Sequence, residues 1–289
     1  MQLVIISGKG GTGKTTIASS FAYLADSEII KVDCDVDASN LHLMFAGVNR
    51  EQNEFYGAKV AEILDTKCTN CGKCIETCRF GAIYTSNNRT VINPLKCEGC
   101  GACKLICDKK AIDLEYEVTG ETFITQTSEG IISRAEMFPG AEGSGKLVTN
   151  VRSNANRIGS KNMSNYIIDG SPGIGCAVMA SITGCDYCVI VTEPSQSGYE
   201  DFMRIHELTK HFGIKGFVVI NKFDINLDIS SKIEKYSSDE EMPVVGKVPF
   251  DDYVGVSINV GEPIVSYENS IAGQSIIKIW NELKSRIGV

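Results

Sequence analysis

A glycine-rich loop directly after the first apolar run constrains the fold of this chain more than any other feature. Residues 7–16 read S-G-K-G-G-T-G-K-T-T and match the pattern G-x-x-x-x-G-K-[ST]. The apolar residues 3–6 before the loop predict a buried strand, and the residues after it have the apolar spacing of a helix. Strand, loop and helix in this order predict a phosphate-binding loop, in which backbone N–H groups and the helix N-terminus bind phosphate oxygens.

The loop supplies most of the predicted nucleotide contacts. Lys14 is expected to reach the β- and γ-phosphates, and the hydroxyl of Thr15 is expected to ligate Mg²⁺. The predicted phosphate-binding residues are Gly8, Lys9, Gly10, Gly11, Thr12, Gly13, Lys14, Thr15 and Thr16.

Short β-branched apolar runs recur along the chain and predict the fold class. The further runs are residues 29–32, 166–168, 188–191, 217–220 and 244–248. Segments with helical spacing lie between most of them, which indicates an α/β domain with a doubly wound, mostly parallel sheet. A hairpin is expected around residues 128–130 and a helix over 144–158. The apolar side of the C-terminal helix is expected to pack on the sheet.

Polar residues end three of the predicted strands, where ligands bind in sheets of this kind. Asp169 is expected to hold Mg²⁺ through water, as in a Walker B motif, and Asp35 to orient the attacking water. Asn221 begins the phrase N-K-F-D, which resembles a guanine-reading motif, so both GTP and ATP fit at this point. An exposed polar strand end is the alternative for each aspartate.

One stretch departs from this rhythm and repeats itself with an offset of 29 residues. The first copy has cysteines 68, 71, 74 and 78, and the second has cysteines 97, 100, 103 and 107. Self-similarity of this kind indicates a duplicated small domain. We therefore expect an inserted domain at residues 61–117, within an ATPase domain formed by residues 1–60 and 118–289.

The cysteine spacing C-x2-C-x2-C-x3-C is typical of bacterial ferredoxins, in which the fourth cysteine ligates the other cluster. This pattern predicts two 4Fe-4S clusters. The first set is Cys68, Cys71, Cys74 and Cys107, and the second is Cys97, Cys100, Cys103 and Cys78. Zinc is the main alternative, since C-x2-C pairs also bind zinc. Ferredoxins usually have proline after the fourth cysteine, whereas Arg79 and Asp108 stand here, so turn rigidity and local charge should differ.

Several motifs together resemble one family of nucleotide switches. Lys9 fits the pattern K-G-G-x-G-K-[TS], D-x-D follows the second predicted strand, and residues 169–173 read D-G-S-P-G. The chain resembles the family of MinD, Mrp-type carriers and the nitrogenase iron protein. It is most similar to MinD-superfamily ATPases that contain an inserted ferredoxin domain.

The resemblance implies a dimer that encloses ATP between two subunits, formed with a second copy or with a sister ATPase. Lys9 would then reach the phosphates of the nucleotide in the facing subunit, and Asn221 would contact adenine. Pro249, Phe250 and Asp251 resemble the loop beside the base. The implied ligands are ATP or ADP with Mg²⁺, and hydrolysis is expected to be slow without a partner.

Four cysteines lie outside the repeat. Cys176 lies seven residues after Asp169, the spacing at which the nitrogenase iron protein carries a cluster ligand, so a further cluster or a functional thiol is conceivable there. Cys185 and Cys188 are expected to be core thiols, and Cys34 to be structural.

Charge and composition narrow the class of partner. The chain has 28 Lys and Arg against 36 Asp and Glu, a formal net charge of −8. Non-specific binding of nucleic acid or of an anionic membrane needs a basic face, so neither is expected. The sequence has no apolar run of membrane-spanning length and no secretory pattern at its start, which favours no stable membrane insertion and a cytoplasmic location with reduced thiols.

Three functions remain open. The first is an ATP-gated redox protein that transfers electrons through two clusters to a partner protein. The second is an Mrp-type carrier or assembly factor, in which iron-sulfur or another metallocofactor is cargo for a recipient. The third is a MinD-like positioning ATPase in which the clusters sense redox state.

Overall fold

The fold is described from a computed structural model, in which residues 1–159 and 165–288 are described. The chain forms two compact units. The first comprises Met1–Asn53, Thr122–Glu136 and Ser144–Val289, and the second comprises Glu54–Glu121 and Met137–Gly143. The predicted insert at residues 61–117 lies inside the second unit, and its boundaries stay a prediction.

The elements alternate between strands and helices in the first unit and are short in the second. The strands are β1 Gln2–Ser7, β2 Ile30–Asp33, β3 Gly47–Phe55, β4 Ala58–Ile63, β5 Ile83–Ser86, β6 Arg89–Ile92, β7 Ile112–Glu117, β8 Gly120–Thr127, β9 Gly130–Met137, β10 Tyr166–Pro172, β11 Tyr187–Thr192, β12 Lys215–Asn221 and β13 Val244–Val248. The helices are α1 Lys14–Leu24, α2 Lys73–Thr77, α3 Ala102–Ile106, α4 Ser144–Ile158, α5 Cys176–Ile182, α6 Gln196–His211, α7 Leu227–Asp239, α8 Tyr253–Val260 and α9 Ile271–Ile287.

The large sheet has the strand order β13-β12-β11-β1-β10-β2-β9-β8-β3. The pairs from β13 to β9 are parallel, and the register places Leu3 beside Ile167 on one side and Tyr187 on the other. Helical connections between parallel strands give a doubly wound sheet, so the predicted fold class is confirmed. Because the strands run in one direction, the loops after β1, β2, β10 and β12 lie at one edge of the sheet.

The core packs on both sides of the central strands. Residues 3–6 of β1 have no exposed surface, as expected for a strand covered on both faces. Helices α1 and α9 share one core cluster, in which the rings of Phe21 and Trp280 lie 5.0 Å apart. The C-terminal helix thus buries its apolar side in the protein, as expected. No helix among the described residues has the length and apolarity needed to cross a membrane.

The predicted hairpin is formed by β8 and β9, with Ser128 and Glu129 between them. A two-residue connection requires an antiparallel pair. The ammonium group of the buried Lys31 donates to the backbone carbonyl of Glu129 at 2.5 Å and ties this turn to β2.

The sequence repeat in the second unit has a structural counterpart. Strands β4 and β7 form one antiparallel pair, and β5 and β6 form the other. Gly72 and Gly101 cap α2 and α3 with φ angles of 79° and 78°, and the repeat partners Ala82 and Ala111 are each 1% exposed. These positions, 29 residues apart, therefore match in backbone geometry at the two glycines and in burial at the two alanines.

Candidate functional site

The glycine-rich loop follows β1 and leads into α1. Gly13 caps the helix with φ 86°, a left-handed conformation that favours glycine. Asn221, at the end of β12, donates its side-chain N–H to the backbone carbonyl of Thr12 at 2.8 Å. A side chain at Gly13 would collide with this amide. The loop is therefore positioned by a residue that the sequence analysis assigned to the base.

A cavity of about 750 Å³ opens at this edge of the sheet. The cavity is lined by residues of the loops that follow β1, β2, β12 and β13. The predicted site residues that line it are Gly10, Gly11, Gly13, Lys14, Thr15, Thr16, Asp35, Asn221, Pro249, Phe250 and Asp251. Gly8, Lys9, Thr12 and Asp169 are not among its lining residues.

Lys14 lies at the charged centre of this site. Its ammonium group is 2.5 Å from Asp169 Oδ1, 3.5 Å from Asp35 Oδ2 and 3.4 Å from Thr15 Oγ1. Burial lowers the pKa of Lys14, but the two carboxylates outweigh it and raise that pKa overall. Burial, offset in part by Lys14, raises the pKa of Asp35. A buried cation beside two carboxylates can neutralise an anion that enters the cavity.

Two buried oxygens fit a Mg²⁺-nucleotide at this site. In the described part of the chain, Asp169 Oδ2 and Thr12 Oγ1 are buried and have no hydrogen-bond partner. Buried polar atoms usually have partners, because leaving one unpaired costs about 1–3 kcal/mol. Lys14 contacts both Asp169 and the Thr15 hydroxyl, and oxygen donors of these two kinds are suited to Mg²⁺ and its water ligands.

Asp33 is a further buried carboxylate at this edge of the sheet. It accepts hydrogen bonds from the backbone N–H of Asp35 at 3.1 Å, from Ser39 Oγ at 2.8 Å and from the N–H of Leu41 at 3.1 Å. Burial and the nearby Asp169 raise its pKa to about 7. Asp33 thus fixes the loop that carries Asp35.

Lys9 points away from Lys14 in the single chain. Its ammonium group lies 2.8 Å from Glu193 Oε1 and donates to Ser195 Oγ at 3.2 Å and Ser197 Oγ at 3.0 Å. Glu193 was missed in the sequence, although the phrase T-E-P-S after an apolar run is another polar strand end. The reach of Lys9 into a facing subunit stays a prediction.

The loop after β13 is fixed at two points. Asp224 Oδ1 accepts a hydrogen bond from the N–H of Phe250 at 2.8 Å, and Asp251 Oδ2 accepts from Ser270 Oγ at 2.7 Å and the N–H of Ala272 at 3.0 Å. The ring of Phe250 is half exposed at the cavity. Asp224 Oδ1, which belongs to the N-K-F-D phrase, is thus engaged with the loop after β13.

The eight repeat cysteines surround two separate cavities in the second unit. The first cavity, of about 200 Å³, is lined by Cys68, Cys71, Cys74 and Cys107. The second, of about 20 Å³, is lined by Cys97, Cys100, Cys103 and Cys78. Each cavity takes three cysteines from one copy of the repeat and the fourth from the other. These are the two sets that the sequence spacing predicts as cluster ligands.

The surroundings of the cysteine sulfurs fit a thiolate-bound cluster. The N–H of Ala111 donates to Cys107 Sγ at 3.3 Å, and the N–H of Ala61 donates to Cys97 Sγ at 3.4 Å. Such donors stabilise negative charge on ligating sulfur. The same cysteines pack with an apolar cluster that includes Ile83.

The remaining cysteines differ in exposure. Cys176 is exposed and is the first residue of α5. Burial raises the pKa of Cys185 to about 11 and that of Cys188 to about 12, as expected for core thiols. Burial also raises the pKa of Cys34, which fits its structural assignment.

The fold and the large cavity define a nucleotide-binding protein of the P-loop class. A profile of the CobQ/CobB/MinD/ParA nucleotide binding domain matches residues 3–264. An uncharacterized protein of Methanocaldococcus jannaschii, MJ0578, is 33% identical over 293 residues, which are 99% of this chain and 98% of that protein. The chain therefore belongs to the CobQ/CobB/MinD/ParA nucleotide-binding family.

Two further comparisons concern the whole fold and the cysteine repeat. The Mg-ADP complex of the septum site-determining protein MinD of Pyrococcus horikoshii aligns with a TM-score of 0.58 and 18% identity, over 99% of this chain and 97% of that one. A ferredoxin of Saccharopolyspora erythraea is 40% identical over 48 residues, which are 17% of this chain and 45% of that protein.

Proposed function

We propose that the protein is an ATP-hydrolysing switch that binds two 4Fe-4S clusters and couples nucleotide-dependent dimerisation to electron transfer to a partner protein. The observation that carries the proposal is the grouping of eight cysteines into two crossed sets of four, each around its own cavity. Its support for clusters is chemical, because sulfur-rich sets with this spacing are typical iron-sulfur ligands. The nucleotide part is supported by the family membership and by the cavity at the glycine-rich loop.

Hydrolysis is assigned to the residues around Lys14. Bound Mg²⁺ would be held by Thr15 and, through water, by Asp169, and it would neutralise phosphate charge. Lys14 binds the β- and γ-phosphates, and Asp35 accepts a hydrogen bond from the attacking water. Asp33 holds the backbone of Asp35 in place for this task. Positioned charges of this kind account for most of the catalysis of phosphoryl transfer.

The dimer is assigned to Lys9 and its partners. We infer that the ammonium group of Lys9 breaks its contacts with Glu193, Ser195 and Ser197 when a second subunit brings a nucleotide within reach. The contacts are partly exposed, so each ion pair is worth only about 0.2–1 kcal/mol and a phosphate can compete for the ammonium group.

The cysteine sets are assigned to two 4Fe-4S clusters, which when bound would accept and donate single electrons. The chain contributes the thiolates, two backbone N–H donors to them, and the apolar residues around Ile83 that exclude water. Low polarity and amide donors are the two means by which a protein sets the potential of such a group.

The test is anaerobic purification with counts of iron and sulfide, followed by EPR spectra of the reduced protein with and without MgATP. About eight irons per chain, with a spectrum or potential that MgATP changes, is the expected result. The Lys14→Ala variant is the control, since it should keep its iron and lose the response to MgATP. Iron far below eight excludes the two-cluster proposal, and iron lost on addition of ATP favours a carrier that delivers its cluster.

A second candidate function is a MinD-like positioning ATPase. It is favoured by the fold-wide likeness to a septum site-determining protein. Co-sedimentation with liposomes of mixed anionic and neutral lipid distinguishes the two functions. ATP-dependent sedimentation supports positioning, and an EPR response to MgATP without sedimentation supports the redox switch.

A further inference from the structure

The duplicated unit allows its two cysteine cavities to be compared position by position. Gly72 and Gly101 have the same φ angle, and Ala82 and Ala111 have the same burial. Because the two halves share a backbone, a difference between their side chains is a difference in surface chemistry. That surface is the one an electron-transfer partner would meet at each cavity.

The mouth of the first cavity is basic. Lys73 and Lys109 line it, Lys67 directly precedes the ligand Cys68, and all three lysines are exposed. Lys110 follows them on the same exposed turn. Among the residues that line the first cavity, Asp108 is the single acid, and its carboxylate lies 2.6 Å from the ammonium group of Lys73. The remaining lysines give this mouth a positive charge in a chain whose net charge is −8.

The mouth of the second cavity has fewer lysines at the equivalent positions. Ala102 stands where the first has Lys73, Phe80, with 47% exposure, stands where it has Lys109, and Gly81 stands where it has Lys110, whereas Lys96 matches Lys67 and Arg79 takes the place of Asp108. Glu98 lines the second cavity as well. The two ends of the unit therefore differ in charge, although their backbones agree.

We propose that the lysine-rich mouth, defined by Lys67, Lys73, Lys109 and Lys110, is the docking surface for an acidic electron-carrier protein. This inference rests on the proposed cluster binding. The partner gains or loses one electron while the reduced or oxidised protein does the reverse, and no bond forms or breaks. Complementary charge speeds encounter and selects partners, and it acts over about 10 Å at 0.1 M salt.

The test measures the local charge with small ions as probes. The iron-loaded protein is reduced and mixed in a stopped-flow instrument with tris(oxalato)cobalt(III), a trianion, or hexaamminecobalt(III), a trication. Each ion takes one electron and becomes Co(II). We expect the rate with the trianion to fall as ionic strength rises, despite the net charge of the chain.

Matched charge reversals give the test its control. Lys67→Glu with Lys109→Glu should slow the reaction with the trianion about 10-fold at low salt. Lys232→Glu with Lys278→Glu changes the net charge equally at exposed positions of the first unit and should change that rate less than about twofold.

Two results overturn the docking surface. The first is that the rate of reaction of the unaltered protein with the trianion rises with ionic strength. The second is that both double variants slow this reaction equally. Iron and sulfide are counted first in every sample. A low count in the unaltered protein refutes the proposed function and this inference with it, whereas a full count with either adverse rate refutes the docking surface alone.

Discussion

The contacts of Lys9 give the sharpest prediction for this protein. In the single chain, the ammonium group is held by Glu193 at 2.8 Å and by the hydroxyls of Ser195 and Ser197. If the residue must reach a nucleotide in a facing subunit, these contacts oppose dimerisation. Replacing Glu193 with glutamine removes this ion pair, together with a longer one to Lys222 at 3.4 Å, and leaves a side chain of similar size, so the dimer should become more stable.

The expected size follows from exposure. Lys9 is 28% and Glu193 is 19% exposed, so the pair is partly screened by water and is worth about 0.5–1 kcal/mol. A symmetric dimer breaks the pair twice, which amounts to about 1–2 kcal/mol. Since 1.4 kcal/mol is a factor of ten, dimerisation should tighten about 5- to 30-fold.

Sedimentation equilibrium in Mg²⁺ and a non-hydrolysable ATP analogue measures this constant. Glu200→Gln is the control, because Glu200 is exposed on the nearby helix α6 and accepts a hydrogen bond from Gln196 instead of contacting Lys9. Ser197→Ala, which removes one hydrogen bond from Lys9, should tighten the dimer by a smaller factor. The reasoning fails if Glu193→Gln dimerises no more tightly while its affinity for the analogue is unchanged.

Three further predictions concern single side chains. In the folded protein the pKa of Asp33 is raised to about 7, whereas in the unfolded chain it is near 4. The free energy of unfolding should therefore fall as pH rises between these two values. Asp33→Asn should flatten this pH dependence, measured by urea titrations at several pH values. Asp224→Asn weakens the hydrogen bond from the N–H of Phe250. Titration with fluorescent nucleotides should show an affinity for ATP about 5-fold lower and no gain in affinity for GTP. An unchanged affinity for ATP would contradict this role of Asp224. Cys107→Ser and Cys78→Ser should each halve the iron content while altering different signals in the EPR spectrum, and identical spectra would contradict the crossed ligand sets.

Features set by short sequence spacing were predictable. The glycine-rich loop needs a strand before it and a helix after it, and β1 and α1 stand there. The 29-residue repeat predicted which of the four cysteines at each cavity comes from the other copy, and the cavities group them in that way. In both cases a short local motif, the glycine-rich loop or the C-x2-C-x2-C-x3-C run, carries the prediction.

Contacts between distant segments were not predictable. Glu193 meets Lys9 across 184 residues, and Asp224 meets Phe250 only because β12 and β13 are neighbours in the sheet. Asn221 was expected at the base and instead donates to the loop at Thr12, and whether it also touches a base stays a prediction. Strand order decides these pairs, and apolar periodicity gives the strands without their order.

The proposed insert with the cysteine repeat lies at the edge of the large sheet along the chain. The repeat begins after β3, the last strand of the sheet, and the chain returns through β8, its neighbour. The two ends meet where the N–H of Thr119 donates to the carbonyl of Phe55 at 2.8 Å. A segment added at such a point breaks no strand pair between β13 and β9, which carries the nucleotide site. The family profile extends over residues 3–264, a range that includes the cysteine repeat. The proposed insertion at the edge of the sheet would therefore leave the strands next to the glycine-rich loop in place.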